Sequence, residues 1–309
     1  MRIYILSRNE NLYSTKRLVQ EATAKGWEVK VIDYLKCTIE IMKGELLVNY
    51  EGKLLPIPDA IIPRIGASKT FYGAAMVRHF EMQDVFSTTG NLALTRSRDK
   101  LRSLQVLSKN DVDLPRTVFA SNKSNAKDVI ALSGGAPLVL KILEGTQGVG
   151  VVLVDSKKAA KSVLDAFYGM DVNLLVQEYI EEANGTDIRA FIVDNEVVGA
   201  MKRQGAEGDF RSNLHQGGSA VAYKLNRKEK ATAIAAARAM GLGVCGVDMI
   251  PSKRGPLVME VNSSPGLEGI EKSTNINIAQ KIMDYIEKNI KPKSSNTKKI
   301  KRKKDSIGA

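Results

Sequence analysis

The sequence predicts a mixed fold: an open parallel α/β sheet at the amino end, followed by an α+β body. Two observations carry this. Residues 1–35 read strand, amphipathic helix, strand, with Gly26 ending the helix, and the rest alternates short apolar runs with helical periodicity before closing on a hairpin. The composition agrees, since 309 residues with 43% hydrophobic and 26% charged side chains describe an ordinary folded chain. That length suggests two or three domains, and a chain of this size buries roughly 75% of its unfolded surface.

The elements follow in order. Ile3–Ser7 is the first strand, Leu12–Lys25 the helix and Glu28–Asp33 the second strand. Leu46–Leu55, with Tyr50-Glu51-Gly52-Lys53 at its centre, reads as a hairpin. Ala60–Ile65 is a strand running into Gly66 and a helix to about Gln83, which sets Arg64 just past a strand's carboxyl end, where such sheets place ligands. A basic amphipathic helix from Leu94 to Lys109 leads to Leu114-Pro115. Next come strand Arg116–Ala120, helix Asn125–Leu132, strand Pro137–Leu143, a glycine loop over 144–150, strand Val151–Asp155, helix Lys157–Tyr168 and strand Asn173–Ile180. Strands Asp187–Val193 and Glu196–Met201 flank Asp194-Asn195, and a polar loop runs from Lys202 to Gly218. Strand Ser219–Leu225, helix Lys228–Met240, a hairpin of Val244–Ile250 with Pro256–Asn262, and a helix to about Asn289 complete the body.

Charge is concentrated at the carboxyl end. Of the formal net charge of +12, residues 291–309 supply +7, from eight basic residues against Asp305. Such a block cannot bury a core and reads as a disordered basic arm, attractive to nucleic acid in a salt-dependent way or simply solubilising. Cys37 and Cys245 fit no ligand spacing, so a reducing compartment is expected, with both thiols behaving as small buried hydrophobes. The apolar run of Met1–Arg8 is too brief for a signal-peptide core, and no window approaches the roughly 18 apolar residues of a membrane helix; a cytoplasmic location is expected.

Three constellations carry chemistry. Lys141 interrupts the apolar run Pro137–Leu143 immediately before Glu144-Gly145-Thr146-Gln147-Gly148-Val149-Gly150. A charge in such a strand needs a partner, and a glycine-rich hairpin whose amides close over phosphates supplies one; the alternative is a snorkelling lysine beside a β-turn. This is not a Walker loop, because Gly66-Ala67-Ser68-Lys69-Thr70 lacks a glycine before its lysine. Val176–Ile180, followed by an acidic loop to Asp187, can offer a strand edge to an adenine and a carboxylate to a ribose. In the last hairpin Asp248 falls close to opposite Glu260, with Asn262 on the same face; an all-oxygen set of this kind selects Mg²⁺ or Mn²⁺. Arg189, Arg203 and Arg211 are suited to a phosphoryl group or a substrate carboxylate, while His79 reads as structural and His215 as a loop hydrogen-bonder.

In this order and spacing the strand lysine with its glycine loop, Gln177-Glu178-Tyr179-Ile180, and Asp248 with Glu260-Val261-Asn262 resemble the ATP-grasp superfamily. The run Gly208-Asp209-Phe210-Arg211-Ser212-Asn213-Leu214, with Glu260–Glu271 and Pro63-Arg64-Ile65-Gly66, is similar specifically to the RimK family, and the likeness spans about residues 1–290. The resemblance implies an ATP-grasp fold with a pre-ATP-grasp domain at 1–97, a central subdomain at 98–182, a metal-bearing subdomain at 183–290 and the basic tail at 291–309. It further implies that ATP is held by Lys100, Lys141, Glu178, Tyr179, Asp187, Arg211, Ser212 and Asn213, and that Asp248, Glu260 and Asn262 hold two Mg²⁺ or Mn²⁺ ions. Arg203 and Arg211 would be catalytic, and Arg64 and Arg189 would meet substrate. The implied reaction adds L-glutamate to the C-terminal carboxylate of small-subunit ribosomal protein six through an acyl phosphate, in a homotetramer. The same residues would serve a ligase with a small-molecule, carrier-protein or glutamate acceptor. A nucleotide-gated ribosome- or RNA-binding protein without turnover is the reading from another class, and the tail suits contact with ribosomes or RNA.

Overall fold

The computed structural model describes residues 1–121, 124–143, 150–206, 208–212 and 217–290. The expected glycine loop at 144–149, Asn213, His215 and the basic tail lie outside the described residues.

The amino-terminal region comprises β1 (Arg2–Leu6), α1 (Tyr13–Ala24), β2 (Glu28–Ile32), β3 (Cys37–Met42), β4 (Glu45–Tyr50), β5 (Lys53–Leu54), β6 (Ala60–Pro63), α2 (Thr70–Glu81), β7 (Phe86–Ser87), α3 (Asn91–Arg98) and α4 (Lys100–Lys109). Its main sheet is parallel, in the order β2-β1-β6-β7. Alternation along β1 sends Ile3 and Ile5 to one face and Tyr4 and Leu6 to the other, and both faces are covered, as a parallel sheet requires. The expected hairpin forms as β4 and β5, and β3 adds a third strand on its other side. His79 is buried and its ring Nε2 meets the Leu47 carbonyl at 3.1 Å, which makes it part of this packing.

The single basic helix expected over Leu94–Lys109 is two helices. Asp99 takes an extended conformation (φ −86°, ψ 104°) and its carboxylate accepts from the Arg102 amide at 2.9 Å, so it stops α3 and caps α4. The closing helix is divided in the same way: Asn275 adopts φ 55° and Asn277 caps the segment that follows.

The central lobe consists of β8 (Thr117–Ala120), α5 (Ala126–Leu132), β9 (Leu138–Ile142), β10 (Val151–Val154), α6 (Lys157–Gly169) and β11 (Leu174–Glu178), in an antiparallel sheet ordered β10-β9-β11-β8 over its own core. The last lobe holds β12 (Thr186–Val193), β13 (Glu196–Gln204), β14 (Ser219–Ala222), α7 (Arg227–Met240), β15 (Val244–Ile250), β16 (Leu257–Asn262), α8 (Glu268–Thr274) and α9 (Ile278–Asn289). Its sheet runs β14-β13-β12-β15-β16. One face, with Ile188, Ala190, Ile192, Val247 and Met249, packs on Ala233, Ala236 and Ala237 of α7.

The other face of this sheet is divided along its length. Phe191, Val193 and Met201 join Ile270, Ile278 and Ile282 of α8 and α9, and that cluster is continuous with Ile3, Ile5 and Leu18 of the first domain. Asp187 and Arg189, on the same face nearer the start of β12, are left to polar company. Both cysteines are buried thiols, as expected of small apolar side chains, and burial pushes the Cys37 thiol up to about 12.

Glu271 fastens the first domain to the last. It is 8% exposed, and its Oε2 accepts from the Tyr13 hydroxyl and from Arg17 Nε, both at 3.0 Å, while Oε1 accepts from the Ala279 amide at 3.0 Å. Removing this carboxylate leaves Arg17 with Glu21, at 2.9 Å, as its remaining counter-charge and leaves the Ala279 amide without its acceptor. Glu271→Ala is expected to lower stability by about 2–3 kcal/mol in a urea titration; a midpoint equal to wild type would show that apolar packing alone joins the domains.

Candidate active site

The polar end of the last sheet is built by strand register. Asp187 pairs with Arg203 across β12 and β13, Arg189 with Asp248 across β12 and β15, and Asp248 with Glu260 across β15 and β16. Residues directly opposite share a face, so these side chains converge. Arg189 grips Asp248 with both ends of its fork, Nε to Oδ1 at 2.6 Å and Nη2 to Oδ2 at 2.5 Å. Arg203 holds Asp187 in the same way, at 2.6 and 2.5 Å, and reaches Asp248 Oδ2 at 3.0 Å. Ser212 donates its hydroxyl to Asp187 Oδ2 at 2.5 Å.

Arg203 therefore stands between two carboxylates, each 2% exposed. Burial opposes every charge here, and the pairing reverses that for two of them. The two carboxylates hold Arg203 firmly protonated, and Arg189 and Arg203 hold Asp248 well below the usual carboxylate range against the cost of its burial. Asp187 is raised, because burial and the Asp248 charge outweigh Arg203 and Ser212. The sequence pattern predicts Arg203 in a polar loop, but β13 continues through Gln204 and carries it onto the sheet. The chain turns away only at Gly205, where a Cβ would come within 2.4 Å of the Arg211 carbonyl.

Glu260 and Asn262 differ from Asp248. Glu260 is open to solvent and its carboxyl is raised, by the surrounding protein first and then by repulsion from Asp248. Asn262 Nδ2 donates to Glu260 Oε1 at 2.8 Å and approaches Asp248 Oδ2 at 3.4 Å. Asp248 Oδ1 accepts from Arg189 Nε at 2.6 Å, and a carboxylate oxygen has a further lone pair to offer. Two carboxylates that repel each other, with an amide whose Nδ2 eases Glu260, bring hard oxygen donors together, and a divalent cation suits such a set. Among the described residues no group of three or more His, Cys, Asp or Glu is placed to hold a metal ion, so this set offers two carboxylates and an amide only.

Two lysines face this end from other elements. Lys141, on β9, donates to Gln177 Oε1 at 2.7 Å, and burial pulls it down to about 8 while Glu260 draws it up and Lys100 pushes it down. Lys100, at the start of α4, donates to the Ile142 carbonyl at 2.9 Å and is lowered by burial. Both thus sit at the end of β9, where 144–149 begins. Glu178 lies where β11 ends; its carboxylate accepts from the Arg116 amide at 2.6 Å and from Arg254, so this side chain ties the link between lobes. Tyr179 meets Phe210 edge to face at 6.4 Å, and Arg211 lies 5.9 Å from the Phe210 ring while paired with Asp209 at 2.9 Å. Arg64 sits past β6 and donates to the Pro265 carbonyl at 2.8 Å. Arg98, which nothing local in the sequence singles out, donates to the neighbouring Ile65 carbonyl, and Ser263, inside the Glu260–Glu271 run, precedes Pro265 by two residues.

A parallel sheet followed by two lobes, with cationic side chains on one facing hard oxygen donors on the other, defines an ATP-dependent ligase of the ATP-grasp class. Within that class the chain belongs to the RimK family: the RimK-like ATP-grasp domain matches residues 97–286 and the RimK PreATP-grasp domain residues 1–94. A relative from Vibrio vulnificus (strain YJ016), named "Probable alpha-L-glutamate ligase", is 60% identical over 96% of this chain and 99% of its own. Among solved structures, the ATP-grasp ligase PsnB, complexed with minimal precursor, Mg and ADP, superposes with a TM-score of 0.73 at 17% identity, covering 94% of this chain and 97% of that one. A RimK domain protein from Sphaerobacter thermophilus DSM 20745 gives 0.68 at 19% identity, over 93% and 99%. At such identities the two structures share the fold.

The ion-pair chain makes a prediction about stability. Asp248→Asn leaves two guanidiniums facing each other without a shared counter-charge and should lower stability by about 3 kcal/mol. Glu260→Gln relieves a repulsion and should leave stability within about 1 kcal/mol of wild type. Urea titrations that ranked the two variants the other way would show that Asp248 does not anchor this end of the sheet.

Proposed function

We propose that the protein joins the amine of L-glutamate to a carboxylate at the C-terminus of a protein, with a ribosomal protein as acceptor, using ATP. The observation that carries this is the placing of Asp248, Glu260 and Asn262 on the same sheet face as Arg189 and Arg203, with Lys100 and Lys141 facing them. The name of the Vibrio relative supports glutamate as the amino acid, and the precursor bound to PsnB supports a polypeptide as its partner.

A carboxylate is a poor electrophile, and transfer of the γ-phosphoryl of ATP converts it to an acyl phosphate with a good leaving group. The glutamate amine then attacks the acyl carbon, the C–O bond to phosphate breaks, and an amide, ADP and phosphate result. Each residue has work in this sequence. Lys141 and Lys100 neutralise phosphates from the central lobe. Tyr179 and the backbone at Glu178 border the adenine, and Arg211 and Ser212 close over the nucleotide from the following loop. Asp187 orients Arg203, whose charge offsets that developing on the transferring phosphoryl group. Asp248, Glu260 and Asn262 would hold Mg²⁺, or Mn²⁺, at two positions, and the ions would screen the phosphate oxygens from the attacking carboxylate.

Purified small-subunit ribosomal proteins incubated with this protein, Mg-ATP and L-glutamate should yield glutamyl mass increments on one protein by intact mass spectrometry, none without ATP and none with Glu260→Gln. Phosphate release without any mass gain would move the acceptor to a small molecule or to glutamate itself. The lysine supplies an independent check. With Lys141 near 8 in the free protein, phosphate binding favours its charged form, so ADP affinity should fall by up to about tenfold as pH rises from 7.5 to 9. Lys141→Arg should flatten that dependence in calorimetry; an equal slope in the variant would remove Lys141 from the phosphates.

A further inference from the structure

Arg64 and Arg98 form an unusual pair. The Arg64 amide donates to the Leu6 carbonyl at 2.9 Å, which fixes its backbone against β1, and its Nη1 reaches the Pro265 carbonyl at 2.8 Å. Arg98, the last residue of α3, sends Nη2 to the carbonyl of Ile65, the next residue along from Arg64, at 2.5 Å. Both guanidiniums are half-buried and hydrogen-bonded only to backbone carbonyls; among the described residues neither has a carboxylate as ion-pair partner. Arg98 Nε is shut off from water with no partner, and so is the Ser263 hydroxyl.

Two like charges in this setting oppose each other. Loss of solvent and the neighbouring Arg98 pull Arg64 down to about 10, and loss of solvent lowers Arg98, with only Glu260 and Tyr34 acting against it. Unpartnered donors and cations partly withdrawn from water are costly unless an anion completes them. The planar fork of arginine matches a carboxylate.

The position limits what that anion can be. Ser263 and Pro265 lie on the segment leaving β16, and Pro265 is three residues beyond Asn262, at most about 11 Å of chain. Ser264 bonds the Pro63 carbonyl at 3.4 Å, and the Pro265 ring packs over Gly246, where an added Cβ would meet it at 3.1 Å and Arg189 at 3.7 Å. The pair therefore borders the site from the ends of β6 and α3, whereas Lys141 approaches from the central lobe. An acceptor carboxylate loses its charge when phosphorylated and must lie at the phosphates. The incoming amino acid keeps its carboxylates throughout and needs fixed counter-charges beside, not within, the phosphate site.

We propose that Arg64 and Arg98, assisted by the Ser263 hydroxyl, are the receptor for the carboxylates of the incoming dicarboxylic amino acid, an assignment that rests on the amide-ligation reading above. The test is calorimetric titration of L-glutamate into the full chain saturated with Mg-ADP. Arg64→Gln and Arg98→Gln should each weaken glutamate at least tenfold and leave ADP affinity within twofold, and L-glutamine should bind wild type at least tenfold more weakly than glutamate. Arg98→Lys keeps the charge without the fork and should be intermediate, which preserves the test if a glutamine variant does not fold. Variants that bind glutamate like wild type overturn the assignment, as does a raised KM for the protein acceptor with that for glutamate unchanged. Arginine-dependent glutamate binding in a protein that adds mass to no acceptor would refute the ligation reading and sustain the receptor.

Discussion

The shared carboxylate of Asp248 is the interaction on which the site depends. Asp187, Arg203, Asp248 and Arg189 alternate in sign across three adjacent strands, so each charge is balanced by its neighbours and none stands alone in a dry environment. Strand register makes this possible, because only side chains set directly opposite lie close enough for forked pairs. The same chain of charges keeps apolar side chains from packing at this end of the sheet.

The surrounding lobes divide the remaining tasks. The first domain and the last share one apolar cluster and a buried carboxylate clasp at Glu271, which holds Arg64 and Arg98 in fixed relation to Glu260. The central lobe has a separate core and meets the last lobe through Glu178 with Arg254 and through the small cluster of Ile180, Ala183 and Leu257. Lys141 rides on that separately packed sheet, so this lysine and the oxygen donors it faces belong to different bodies of side chains.

Much of this was legible in the sequence where local pattern and global position agree. The turn at Lys253–Gly255 sets Asp248 against Glu260, and the observed register pairs them, with an irregularity just beyond. Alternation in β1 and the strand-terminal Arg64 likewise follow from short-range pattern. Arg203 was misplaced because Lys202-Arg203-Gln204 looks like loop; its pairing with Asp187, 16 positions away, is what makes it strand. The break at Asp99 was hidden because its neighbours continue a helical repeat, and only the capping bond to Arg102 reveals the stop. The Arg98–Ile65 contact joins positions 33 apart, and no local spacing announces such a contact.

The continuous cluster that runs from Ile3 through Phe191 to Ile286 bears on how such a chain can be inherited. The two matched domain families change over near residue 95, which invites the view of two exchangeable modules. The apolar interior does not respect that seam: Leu18 and Ala22 are completed by Ile278, Ile282 and Ile286. Recombination at the seam would therefore succeed only between parents whose α1 and α9 already interlock, so the two halves are bound to change together through descent.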